Sequence, residues 1–445
     1  SHAPWIKADV VNLGYVINVI EDPAERRETL VKAWELTQKV LIVAAQVLVE
    51  NGSYGIFSYE DGIITRRNTF QKYYEQEELK AYIDQVLGVD AIPIALGIYL
   101  VFRDTAQGEN FRASRFRSRA TTPRIRIHIN QFEEHRDRLQ PLMDFYTDRG
   151  RLPNAEEVAD QEAFQSLITT FKTVKQAFQI ILKATSVSEW DAISDKRRQD
   201  LLVYLALSRF EQRPRFSDLS SLTQGDIKGL FGSYAQSCAA ADLMLLSVGN
   251  LVTIRECCHR CSWGQRHSDS LWVHVSLLEY LDPLLRLYEG CASRTIGRPA
   301  EATLIKFQWT HPSITYFTVP EFDRDPYPAL STSMKINLQE GKVYYRDYDR
   351  SDNPPVLHRK EQLVDATYAD YEKFAKLSRQ ELKWGICDEQ KNKLYDRESW
   401  QKRLANYGAE LQGHRLIWRK DIDPYQRKLL KSQQRSRASQ GSNLN

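Results

Sequence analysis

Short apolar runs alternate with helical periodicity over the first hundred residues. Residues 8–16 open with β-branched side chains and break at Asn12 and Gly14, which predicts a strand ending near Asn12. Glu21-Asp22-Pro23 sets a capping carboxylate before a proline suited to a first helical position. Leu30, Ala33, Trp34 and Thr37 then recur at helical spacing, predicting a helix to about Gln38. Residues 39–49 (KVLIVAAQVLV) are continuously apolar, as expected of a strand covered on both faces in a parallel sheet. This β-α-β order favours a right-handed crossover. Residues 52–65, punctuated by glycine and tyrosine, fit a hairpin or a mobile flap. A helix over 75–87 with Gly88 at its end and a strand over 92–102 close the unit.

The pattern changes at residues 103–126, which carry Arg103, Arg112, Arg115, Arg117, Arg119, Arg124 and Arg126 around Thr121-Thr122-Pro123. A domain boundary falls here. Helical periodicity then dominates, clearest over 161–183, 196–209, 229–246 and 271–287. From Ala302 the text is β-like and turn-rich (LIKFQW, ITYFTV, KVYYRDY), with helices returning over 368–382 and 398–407. After Trp418 the chain is polar, basic and poor in apolar residues, which predicts disorder. The predicted organisation is thus an α/β domain over 1–104, a basic linker over 105–130, a mostly helical domain over 131–300, an α+β region over 301–420 and a disordered basic tail over 421–445.

A chain of 445 residues has room for roughly two to four domains. Apolar residues make up 42% and charged residues 27%, so neither wholesale disorder nor a membrane protein is expected. No stretch approaches the roughly 18 apolar residues of a membrane-spanning helix, and the start, Ser1-His2-Ala3-Pro4-Trp5, has no signal-peptide pattern. Six unevenly spaced cysteines do not form a disulfide framework and fit a reducing cytoplasm. A net charge of +3 is too small to argue for nucleic acid unless the charge is clustered.

The strings ADVVNLGYVINVIEDPAERRETLVKAW and KVLIVAAQV resemble the fourth strand, following helix and fifth strand of a class I S-adenosylmethionine-dependent methyltransferase. Together with GIITRRNTFQKYYEQEELKAYI, DIKGLFGSYAQSCAAAD, YEGCA, TVPEFDRDPYPAL and YRDYDRSDNPPVLHRKE, they make the whole chain resemble the putative methyltransferases associated with bacterial DNA phosphorothioation. The resemblance implies a Rossmann-like half-domain, S-adenosylmethionine as cofactor, and DNA or other phosphorothioation proteins as partners. It also implies a glycine-rich cofactor loop, which this sequence lacks, so the expectation is a truncated chain that does not hold the cofactor alone. On this footing Asn12, Gly14, Tyr15 and Asn18, just after a strand's carboxyl end, would face the cofactor or the target base. Their other reading is an ordinary strand-to-helix turn with Asn18 capping locally.

Other constellations carry candidate chemistry. Asn353-Pro354-Pro355-Val356 is similar to the Asn/Asp-Pro-Pro-aromatic motif of amino-methylating DNA enzymes, with Val356 in place of the aromatic; a rigid extended turn is the alternative. Arg112, Arg115, Arg117, Arg119 and Arg124, interleaved with Phe111 and Phe116, are candidates for phosphate contact. So are His358, Arg359 and Lys360, with Arg346 and Arg350 upstream. In both places a solvated charged segment is the competing reading. Cys258-x-x-Cys261 has metal-ligand spacing, with Cys257, His259 and His267 beside it and Cys291 or His274 able to complete a set. Reduced thiols in a helical turn suffice, and no metal is expected. Glu75, Glu77 and Glu78 with Lys72, Tyr73 and Tyr74 fit either base stacking with proton transfer or simple first-turn capping. Two functions follow: a methyltransferase acting on DNA, or a non-catalytic DNA-binding or regulatory subunit on the same scaffold.

Overall fold

The computed structural model of the chain describes residues 5–48, 57–387 and 394–441. β1 (Ala8–Gly14) lies parallel to β2 (Thr37–Ala44), with α1 (Pro23–Leu36) between them in sequence. Asp22 accepts from Ala24 N at 2.7 Å and Pro23 opens the helix, as the sequence predicts. β3 (Phe57–Tyr59), β4 (Gly62–Ile64) and β5 (Phe70–Gln71) form a small antiparallel flap, followed by α2 (Gln76–Leu87), which ends at a left-handed Gly88. The start of the expected hairpin, residues 52–56, lies outside the described residues.

The run over 92–102, predicted as one strand, is a hairpin of β6 (Ile92–Ala95) and β7 (Ile98–Phe102). Gly97 makes the reversal at φ +70°, and a Cβ there would lie 2.4 Å from Ala45 O, so only glycine fits unstrained. The sheet order is β1-β2-β7-β6, with β7 antiparallel to both neighbours and β1 at an edge. Leu13, Leu41, Val43, Tyr99 and Val101 from the sheet pack on Leu30, Leu79 and Ile83 from the helices.

Residues 105–130 are not a solvated linker. They form α3 (Thr105–Ser114) and an extended strap whose first part, around Phe116 and Ser118, is drawn into the core. Phe116 packs into the largest core cluster, while Ser118 donates through N and Oγ to Asp200 Oδ2 at 3.1 and 2.9 Å. Asp200 also accepts from Arg286 Nη1 at 2.6 Å and Arg197 Nη1 at 3.0 Å, so one buried carboxylate joins the strap to two helices.

The helical region comprises α4 (Asn130–Glu134), α5 (Arg136–Arg149), α6 (Ala155–Asp160), α7 (Glu162–Phe171), α8 (Val174–Ala184), α9 (Val187–Leu207), α10 (Ser221–Phe231), α11 (Tyr234–Val248) and α12 (Leu251–Arg260). The periodic run over 161–183 is two helices because Lys172 turns at φ +63° and Thr173 caps the second. No single helix among the described residues is long and apolar enough to cross a membrane.

β8 (Gln265–Arg266), β9 (Ser270–His274), β10 (Leu304–Gln308), β11 (Ser313–Thr318), β12 (Thr332–Asn337) and β13 (Lys342–Asp347) make an antiparallel sheet, with α13 (Pro283–Ile296) between β9 and β10. The predicted helix over 271–287 is therefore replaced by β9, a 3-10 segment and the first turns of α13. β9 alternates faces: Leu271 and Val273 join the core shared with α9 and α13, while Trp272 points to a second core with Phe317 and Phe374. The C-terminal unit holds β14 (Pro355–Val356), α14 (Tyr371–Trp384), β15 (Tyr395–Asp396), α15 (Arg397–Asn406), β16 (Ala409–Gln412) and β17 (Arg415–Trp418). The tail predicted to be disordered is helix α16 (Pro424–Gly441), with 442–445 outside the described residues.

Candidate functional site

The turn after β1 sits at the carboxyl ends of two parallel strands, where open α/β sheets present ligands. Tyr15 N donates to Ala44 O at 2.7 Å and Tyr15 adopts φ +57°, a conformation costly for a residue bearing a Cβ. Its side chain is half exposed and Asn12 is exposed, whereas Gly14 is partly covered. Asn18 is buried, and its Oδ1 has no hydrogen-bond partner among the described residues. Its carbonyl accepts from Lys72 N at 2.7 Å, which ties the turn to the end of the flap. Asn12, Gly14 and Tyr15 thus line an accessible turn, with Asn18 beneath it.

The flap is anchored by charge. Arg26, almost fully buried on α1, donates to Asp61 Oδ2 at 2.7 Å and to Ile20 O at 3.0 Å; Lys72 Nζ reaches the same carboxylate at 3.0 Å. The Arg26 bond, outweighing partial burial, holds the Asp61 carboxyl down at about 2. Lys72 also pairs with Glu78 at 2.8 Å, and Glu78 Oε2 accepts from Glu75 N at 3.1 Å, so the acidic group of the string caps α2. Tyr74 is core, not a stacking platform: it is 1% exposed.

The arginine cluster divides by burial. Arg112 is held by Asp90, Glu109 and Glu211. Arg115 donates to Pro93 O at 2.7 Å, and burial lowers its pKa. Arg117 pairs with Asp148 at 2.8 Å. These three are internal ties, and their expected phosphate role does not fit because carboxylates and carbonyls already use their donors. Phe111 packs on Phe102 and Phe116 on the core, so the interleaved aromatics offer no base platform.

Arg119, Arg124 and Arg126 are exposed instead and line an open cleft of about 860 Å³ with Lys196, Glu189 and Tyr280. Lys196 Nζ donates to Arg119 O at 2.6 Å and Arg126 pairs with Glu189 at 2.6 Å. Four cations face one carboxylate across this cleft. Lys196 and Tyr280 were missed by sequence reasoning because they come from distant segments and have ordinary local patterns.

The second basic group is a correction. His358, Arg359 and Lys360 are buried at 6%, 6% and 2% exposure, so none offers its charge to a phosphate. The Lys360 ammonium donates to Phe322 O and to Asp325 O, lies 4.1 Å over the Phe374 ring, and is pushed down to about 7 by burial. It braces the loop TVPEFDRDPYPAL. His358 stacks on Trp400 at 4.8 Å between ring centroids. Upstream, Arg346 lies over Tyr348 and Arg350 pairs with Asp347.

Asn353 spends its amide locally, donating to Asp396 Oδ1 at 3.0 Å and accepting from Glu398 N at 2.9 Å. Val356 pairs with Tyr395, so the motif behaves as a turn into β14 that braces the first turn of α15. Cys257 and Cys258 are buried on α12, and His259 packs against Trp309. Burial raises the pKa of both thiols, and Cys291 on α13 is pushed up to about 12. Among the described residues the one group placed to share a metal ion is elsewhere: His358, Glu381 and Cys387.

Comparison with protein-family models, with curated proteins and with solved structures finds no match to this chain. The molecule is a mixed α/β protein with several small sheets.

Proposed function

We propose that the protein carrying this chain is an S-adenosylmethionine-dependent methyltransferase that acts on DNA in a bacterial phosphorothioation system, with the first hundred residues forming half of the Rossmann-like catalytic domain. The observation that carries the reading is the parallel β1-α1-β2 unit, whose first strand runs into a strained, accessible turn. A Tyr15 conformation that costs about 1–3 kcal/mol is the kind of strain that persists where a side chain must be aimed. Asn12, Gly14 and Tyr15 would contact the cofactor or the base, and Asn18 would support the turn from below. Methyl transfer needs a nucleophile held in line with the sulfonium, so positioning by such a turn supplies much of the rate.

The test is labelled methyl transfer by the full-length gene product on phosphorothioated and unmodified DNA, with cofactor binding read by calorimetry. Asn12→Ala and Tyr15→Ala should each weaken cofactor affinity or transfer by at least about ten-fold, the loss of one good contact of about 1.4 kcal/mol. Full binding and full transfer in both variants would sink the assignment.

A second reading, a DNA-binding subunit without catalysis, is favoured by the cleft of Arg119, Arg124, Arg126 and Lys196. Its phosphate contacts predict affinity that falls with rising salt. An Arg119→Ala, Arg124→Ala double variant should lower the slope of log affinity against log salt by about 2. An unchanged slope would remove the cleft from the interface.

A further inference from the structure

His358, Glu381 and Cys387 converge in the C-terminal unit from three places: the chain just after β14, the last turn of α14, and the segment that follows it. Cys387 Sγ lies 3.6 Å from His358 Nδ1 and 3.6 Å from Glu381 Oε2, and the three donor atoms all fall within 4.8 Å of one another. For a tetrahedral zinc with Zn–S of about 2.3 Å and Zn–N or Zn–O of about 2.1 Å, the sulfur-to-nitrogen and sulfur-to-oxygen edges come to roughly 3.6 Å. The observed spacings equal those edges.

The surroundings add an independent observation. Glu381 is fully buried, and its second oxygen, Oε1, has no hydrogen-bond partner among the described residues. Trp400 Nε1 of the same core cluster is likewise buried without a partner among the described residues. The Tyr327 hydroxyl lies beside Glu381, close enough to influence its charge. A buried carboxylate with an unused oxygen is expensive unless a cation compensates it. Arg359 also bears on Glu381 and Cys387, but its charge is shared with Glu361.

We propose that His358, Glu381 and Cys387 bind a divalent zinc ion that pins the β14 turn to the end of α14. A thiolate, a carboxylate and a neutral imidazole give the ligand set a charge of −2, which zinc neutralises. The fourth tetrahedral position is left to water or to the Tyr327 hydroxyl. Stacking on Trp400 fixes the imidazole plane, as an outer-shell contact does for a ligating histidine. The site is independent of the methyltransferase reading.

Elemental analysis of the full chain purified under reducing conditions should find about one zinc per chain. Stripped protein titrated with cobalt(II) should develop sulfur-to-metal charge-transfer absorption. Cys387→Ser should abolish that absorption, whereas Cys261→Ser should retain it. Should Cys387→Ser fail to fold, His358→Gln and Glu381→Gln keep the thiolate and should weaken zinc by at least about ten-fold in chelator competition. Stripped wild-type protein that takes up neither metal, absorption that survives in Cys387→Ser or disappears in Cys261→Ser, or unchanged affinity in both ligand variants would each overturn the proposal.

Discussion

At the end of β9 the His274 ring packs against Phe322 and Tyr368, with Nδ1 2.8 Å from Ser276 Oγ. Burial pushes its pKa down to about 4, against a weak opposing pull from Asp323. The unfolded chain therefore binds more protons than the folded one between about pH 6.5 and 4. The contribution of a neutral His274 is complete above about pH 6.5 and is lost as pH falls toward 4. The full loss is at most about 3 kcal/mol, reduced by whatever solvent reaches the partly covered ring. We expect His274→Asn, which keeps an acceptor for Ser276 N, to flatten the fall in urea midpoint between pH 7 and 4. A fall as steep as in the parent protein would assign the effect to other groups. The same scale explains why the basic residues misled. Arg119 and Lys360 look alike in sequence, but the burial of Lys360 is fixed by Phe322 and Phe374, and no local pattern announces those contacts.

At the scale of elements, Gly97 separates two effects that share one backbone sign. It turns at φ +70° with Ala45 O at 2.4 Å from a would-be Cβ, while Gly88 turns at φ +66° with open space around it. Gly88→Ala should cost about 1 kcal/mol, from the left-handed conformation alone. Gly97→Ala adds a clash with backbone and should cost at least about 2 kcal/mol. Denaturant midpoints of the two variants test this, and equal losses would show that the hairpin yields without strain. Legibility follows the same physics. Helices with local end signals, such as the Asp22-Pro23 start of α1 and the terminal Gly88 of α2, were readable because those signals sit in the sequence itself. The run over 92–102 was not, since a continuous apolar stretch carries no period and only the partner strand decides where it folds back. The stretch 271–287 failed similarly: β9 is buried on both faces, which removes the alternation that marks a strand. Of the candidate site, the turn at residues 12–18 was visible as a break between strand and helix. The metal-binding group was not, because its residues come together only through α14.

At the scale of the whole molecule, the regions are joined by a few buried polar groups and close backbone contacts. Gly297, after α13, leaves no room for a Cβ against Ile94 of β6, so α13 is seated directly on the first sheet. Gly290 of the YEGCA string packs closely on the Leu207 side chain of α9, which gives that string a structural purpose. Asp200 completes the junction by holding Arg197, Arg286 and Ser118 at once, each nearly inaccessible to solvent. Asp200→Asn would leave two buried guanidinium groups without a counter-charge, and breaking such a group by removing one partner costs about 3–5 kcal/mol. Some of that should return when a cation is removed as well, because the penalty belongs to unpaired charge and not to a lost attraction. The double variant Asp200→Asn, Arg286→Met should therefore be more stable than Asp200→Asn alone in equilibrium denaturation. Strictly additive losses would show that solvent already reaches the junction and that the strap is held by Phe116 packing instead.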